Sequence, residues 1–199
     1  MALRLTEAGF ALLAVGNQKG TKGCWETNDV ETVTALLHEW RKKRSRHQQH
    51  HVPMKVPLFL LGPSSGGFFA TQAARHWREV RGLSVQISVP SADDVRAPLP
   101  SGSAALPPLQ LVLMKRDSGK LRDAAALRST LPAGAFEQIV VAPRALASTF
   151  FSDAMPGLAP TLSAAVLDGL IAAGHVDATT RMLKAHPYRG TAHATGMCL

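Results

Sequence analysis

The segment Leu58-Phe59-Leu60-Leu61-Gly62-Pro63-Ser64-Ser65-Gly66-Gly67-Phe68-Phe69-Ala70 constrains this chain more than any other. A short apolar run stops at a glycine, and apolar residues resume after a small-residue turn. That pattern predicts a buried strand over Leu58–Leu61, a sharp turn, and a helix over Phe68–Arg81 that Gly82 ends. The turn, Gly62-Pro63-Ser64-Ser65-Gly66, fits Gly-x-Ser-x-Gly. A serine on so tight a strand-to-helix turn has a strained backbone, so its neighbours two residues away must be small. The turn lifts the hydroxyl above the sheet at a helix N-terminus, where the amide of the next residue, Ser65, can stabilise a developing oxyanion. The bare pattern would arise by chance in about one chain in ten of this composition, so its placement between strand and helix carries the weight. A glycine-rich connection without chemistry is the competing reading. A phosphate cradle is a poorer one, because neither a dinucleotide fingerprint nor a Walker lysine is present.

The rest of the chain repeats the alternation of extended and helical patterns. Met1–Ala8 reads as a helix ended by Gly9, Phe10–Val15 as a first buried strand, and Val30, Val33, Leu36, Leu37 and Trp40 recur at helical spacing behind a Thr27-Asn28-Asp29 cap. Leu83–Val89, Leu109–Met114 and Phe136–Val141 are expected as further strands. Helices are expected over about Leu121–Leu131 and Thr161–Ala173. This order argues for an α/β fold, a mostly parallel sheet with helices on both faces, in a single domain over 1–199. Residues 90–108, rich in Pro, Ser and Ala, read as a linker or short excursion, and 185–199 as a flexible tail.

Composition narrows the partners. The chain has 199 residues, 46% hydrophobic and 18% charged, which is globular, and a formal net charge of +8. Much of the excess lies in Arg41-Lys42-Lys43-Arg44-Ser45-Arg46, which reads as a solvated helix end; it lacks the interleaved aromatics of a base-stacking surface and so argues against nucleic acid. Cys24 and Cys198 are too few for a disulfide framework or a zinc site, which points to a reducing, intracellular compartment. Glu7 interrupts the moderately apolar start, so neither a signal peptide nor a membrane span is expected. No cofactor motif and no metal-ligand spacing is present.

The stretch "PLFLLGPSSGGFFATQAA" resembles the elbow of a group of uncharacterised plant, algal and protist proteins with the α/β-hydrolase fold. Cys24-Trp25, "LVLMKRD", "FFSDAMPGL" and "AAVLDGLIAAGHVDATTRML" extend the similarity over about residues 9–190. The resemblance implies that fold, with no counterpart to its early strands upstream of Met1, hence an N-terminally trimmed sheet. It supplies no substrate.

In that fold the catalytic residues follow in the order Ser, Asp or Glu, His. Ser64 is the expected nucleophile, and Asp117, just after the strand Leu109–Met114, the expected acid; helix capping is its alternative role. Asp93 and Asp94 are further acids expected to face water. The loop after Phe136–Val141, running Ala142-Pro143-Arg144-Ala145, holds no histidine. His186, ahead of Pro187, is the best candidate base; His175 and His193 follow the same strand, His175 at a helix end, and His38 and His76 lie on earlier helices. No His-Gly segment precedes the first helix, so the second oxyanion donor has no obvious source. Two readings remain: a carboxylic-ester hydrolase with Ser64, Asp117 and His186, Ser65 serving the oxyanion, or a catalytically silent module that binds a small ester, a hydrophobic ligand or a protein above the strand ends.

Overall fold

The computed structural model describes residues 2–16, 24–45, 56–100, 105–155 and 157–184. The chain forms two compact units, the first ending at Val141 and the second beginning at Ala142.

The first unit is of the α/β class. It holds α1 (Ala2–Glu7), α2 (Asp29–Ser45), β1 (Leu58–Pro63), α3 (Ser65–His76), β2 (Val80–Gln86), α4 (Ala92–Arg96), β3 (Leu109–Met114), α5 (Ser118–Arg128) and β4 (Phe136–Val141). The strands form a parallel sheet in chain order, β1-β2-β3-β4. Each crossover steps to the next strand in the same sense, so the right-handed preference of parallel connections puts the linking helices on one face. That face carries Leu60, Leu83, Val85, Leu109, Leu111 and Leu113, which share a core with Val33 and Leu37 of α2, Phe69 and Ala73 of α3, and Ala124 and Leu127 of α5. Leu111 and Leu113 are wholly buried, and burial of each such side chain contributes about 1.5–3 kcal/mol.

The other face differs. Phe59 and Leu61 of β1 are exposed there, and Ile139 and Val141 of β4 face the same way. Between them runs a polar row: Ser84 Oγ donates to Gln110 Oε1 at 3.1 Å, and Gln110 Nε2 donates to Glu137 Oε2 at 2.7 Å.

Several expectations change. The sheet has four strands among the described residues, because Phe10–Val15 forms no ladder. Phe10, Leu12 and Leu13 stay partly exposed, and the run meets β1 through a side chain, the Phe10 ring standing edge-on to Phe59 at 5.9 Å. An apolar run signals contact with a core, whereas a strand also needs a hydrogen-bonding neighbour. The helix after the turn begins at Ser65 and ends at His76. Trp77 leaves it to bury its ring against Phe69 and to donate from Nε1 to Thr34 Oγ1 at 2.8 Å, so the chain turns early into β2. Gly82 therefore lies inside β2, beside Phe59; a methyl group there would sit 3.1 Å from Phe59 Cδ1.

Arg41 is not a solvated basic residue. Its side chain is buried, with Nη1 2.9 Å from Glu79 Oε1, while its Nε and Nη2 are buried without a hydrogen-bond partner among the described residues. In the 90–108 excursion, Ser91 caps α4 and Asp94 accepts from Gln72 Nε2 at 2.7 Å. Arg75 donates to the Asp94 and Pro98 carbonyls. Asp94 thus ties the excursion to α3 instead of facing water.

The second unit contains α6 (Phe150–Ala154) and α7 (Pro160–Ala172) around a small core of Leu146, Leu167 and Val176. Ser163, fully buried, joins the two helices by donating to the Ser148 carbonyl at 2.7 Å and accepting from Phe151 N–H at 3.1 Å. Among the described residues no helix is long and apolar enough to cross a membrane.

Candidate functional site

Ser64 stands at the carboxyl end of β1 with φ 52° and ψ −125°. L-residues avoid that backbone, and holding one there costs about 1–3 kcal/mol. The surroundings hold it in place. Its N–H donates to the Gln86 carbonyl of β2 at 2.8 Å, and its own carbonyl accepts from Gly67 N–H at 2.8 Å. Ser64 Oγ makes no capping bond to α3, although Ser at that position usually does. The hydroxyl is therefore left available beyond the strand end.

The glycines around it divide the steric burden unevenly. A methyl group on Gly62 would run into the Gly66 carbonyl oxygen, and one on Gly67 would lie 2.6 Å from Val85 Cγ1 and 3.0 Å from the Gly62 oxygen. A methyl on Gly66 would find its nearest neighbour, Pro63 Cδ, at 3.4 Å. The position two residues after the serine thus has room. The crowded pair is Gly62 and Gly67, because the helix must cross close over β1 and β2.

The N–H groups of Ser65 and Gly66 open the 12-residue α3, and among the described residues neither has an acceptor. Trp25 lies at the same end. Its Nε1 would be 3.8 Å from a methyl on Gly66, and its ring packs on Phe69 with centroids 4.4 Å apart. The loop that delivers it is fixed against α2, since Asp29 Oδ2 accepts from Glu26 N–H at 2.7 Å. Beside the turn, at the end of β2, Ile87 has φ 51° and an exposed side chain. A β-branched residue in that conformation is rare. Two neighbouring parallel strands therefore each end in a strained non-glycine residue.

Asp117 follows β3, on the same edge of the sheet as Ser64 but two strands away. Adjacent strands lie about 4.8 Å apart, so roughly 10 Å separates the two strand axes. The carboxylate caps α5, Oδ1 accepting from Lys120 N–H at 3.0 Å, and Oδ2 has no partner among the described residues. Ser64, Ser65 and Asp117 thus share one end of the sheet. His186, like His193, lies outside the described residues. His38, His76 and His175 are exposed on α2, at the end of α3 and after α7.

A cleft of about 520 Å³, lined by Val95, Arg96, Leu99, Leu106, Leu131 and Pro132, opens elsewhere. Leu106 precedes β3 and Pro132 precedes β4, so this cleft is at the amino end of the strands, away from Ser64. Among the described residues no three His, Cys, Asp or Glu side chains gather as metal ligands.

The sequence singles out Ser64, Ser65 and Asp117, which the structure places at one end of the sheet, but gives no role there to Trp25 or Ile87. Trp25 lies four residues ahead of Asp29, where α2 begins, and that position was its available signal. Ile87 had none, since its strain depends on how β2 ends. No protein-family model, curated protein or solved structure matches the chain.

Proposed function

We propose that this chain is a serine hydrolase of the α/β-hydrolase type that cleaves carboxylic esters. The backbone of Ser64 carries the reading. A non-glycine residue at φ 52° on a strand-to-helix turn is expensive, and its hydroxyl caps nothing. The order of parts supports it: serine after β1, aspartate after β3, and His186 beyond β4 follow the chain order of that fold.

In this mechanism Ser64 Oγ attacks the ester carbonyl carbon while its proton passes to His186. The new Oγ–C bond pushes the carbonyl π pair onto oxygen, where the Ser65 N–H receives it. Collapse expels the alkoxide, which takes the proton from His186, and water then releases the acid from Ser64 by the same sequence. Asp117 Oδ2 orients the imidazole and stabilises its charged form. Incubation with a fluorophosphonate should add a phosphonyl group to Ser64, mapped by peptide mass, and Ser64→Ala should abolish both labelling and p-nitrophenyl ester turnover.

A second reading is favoured by two observations: the loop 142–149 after β4 has no histidine, and Asp117 already caps α5. A silent module of this fold would keep the turn for architecture and bind a ligand above the strand ends. Folded protein that fails to label at Ser64 establishes that reading over the first.

A further inference from the structure

We infer that the indole N–H of Trp25 is the second oxyanion donor, completing with the Ser65 amide the hole beside Ser64; this role rests on the hydrolase reading above. An acyl-transfer site needs two donors converging on the oxygen that gains charge, and the helix N-terminus supplies only one side of it. In this fold the partner comes from the loop ahead of the helix that packs beside the nucleophile helix. Here that loop is residues 24–28, leading into α2, whose Val30, Val33 and Leu37 share the core with Phe69 of α3. Trp25 brings the polar edge of its ring to the turn: Nε1 and Cδ1 lie 3.8 and 3.9 Å from where a methyl on Gly66, one position beyond Ser65, would sit.

Three features suit it to the task. Trp25 Nε1 has no acceptor among the described residues, so nothing in this part of the chain competes for its proton. Its ring is held by the tilted contact with Phe69, at 33° and 4.4 Å, and Phe69 is itself buried on the helix that begins after Ser64. Its backbone is held by the Glu26–Asp29 bonds at the start of α2. A donor fixed before the reaction costs no reorganisation when charge develops, which is where such groups gain their effect. An indole N–H also donates only, so it cannot capture the Ser64 proton or stabilise a wrong protonation state.

The chemistry balances without another reactant. With a fluorophosphonate, Ser64 Oγ forms a bond to phosphorus, fluoride leaves, and the serine proton goes to the base; the phosphoryl oxygen then lies between the Ser65 N–H and Trp25 Nε1–H. Trp25→Phe keeps a smaller aromatic ring on Phe69 but removes the donor. The variant should melt as the wild type does, lose about 100-fold in kcat and in the labelling rate, and keep KM within about two-fold. In a ¹H–¹⁵N spectrum the indole signal that Trp25→Phe deletes should move downfield when the wild type becomes the phosphonate adduct.

Labelling of wild type and Trp25→Phe at equal rates overturns the role of Trp25 and leaves the hydrolase reading intact. An indole signal that does not move in the adduct overturns it as well, even if Trp25→Phe fails to fold. Wild type that neither labels at Ser64 nor turns over ester overturns the hydrolase reading and this inference together.

Discussion

Gly62, Ser64, Gly66 and Gly67 form one short turn, yet they answer to different forces. Gly62 is required by the Gly66 carbonyl and Gly67 by Val85, while Gly66 has ordinary van der Waals room. Gly62→Ala and Gly67→Ala should each lower stability by about 2–3 kcal/mol, as overpacking does where backbone or a core side chain must yield. Gly66→Ala should fall within about 1 kcal/mol of the wild type, on the stabilising side, because it adds a better helix former to α3. Urea melts of the three variants measure the ordering, and a Gly66→Ala as damaging as Gly62→Ala would contradict it. The glycine pattern was legible in the chain. Its division of labour was not, because the distance from Gly67 to Val85 depends on β2, a strand that pairs with β1 from fifteen or more residues away.

Elements were read best where two signals agreed. Leu58–Leu61, Leu109–Met114 and Phe136–Val141 all lie in strands, since apolar runs flanked by turn residues also had neighbours to pair with. Phe10–Val15 had the run without the partner, and the end of α3 was misplaced because tertiary burial of Trp77 overrode the glycine stop at Gly82. Asp117 shows one residue serving an element and a site together. Asparagine caps helices about as well as aspartate, so Asp117→Asn should hold the stability of α5 within about 0.5 kcal/mol. If the same carboxylate orients a histidine, turnover should nevertheless fall by several orders of magnitude, about 10⁴-fold by analogy with a triad aspartate amidated in a serine protease. In the turn after α7, the backbone bond from Thr180 and then its hydroxyl hold the Asp177 carboxyl below the ordinary aspartate value, with a smaller push from Lys184. A lowered folded pKa stabilises the turn above the unfolded value and loses that contribution as pH falls through the folded one. The Thr180 amide should therefore change its shift at a lower pH than an unperturbed aspartate would impose, in an NMR titration that Asp177→Asn flattens.

For the whole molecule, the proposed reaction draws on residues far apart in the chain: Trp25, the turn at Ser64, Asp117 and His186. His186→Ala should reduce ester turnover by about 10³-fold or more, on the order seen when a triad member is removed. Rescue of turnover by added imidazole would place the loss in proton transfer; an unchanged rate would assign the base elsewhere. The α/β class was legible from alternating patterns alone. The one-sided placement of α2, α3 and α5 was not, because it follows from strand order, which no local pattern records. That strand order gives the polar row Ser84, Gln110 and Glu137 a use in folding. A parallel strand can slide along its neighbour, and a slip of one residue exchanges its two faces. Such a slip would turn Gln110 and Glu137 toward the helices and push leucines into water. The row therefore marks the register: in the observed alignment of these three strands all three side chains hydrogen-bond to one another while the leucines stay on the helix side.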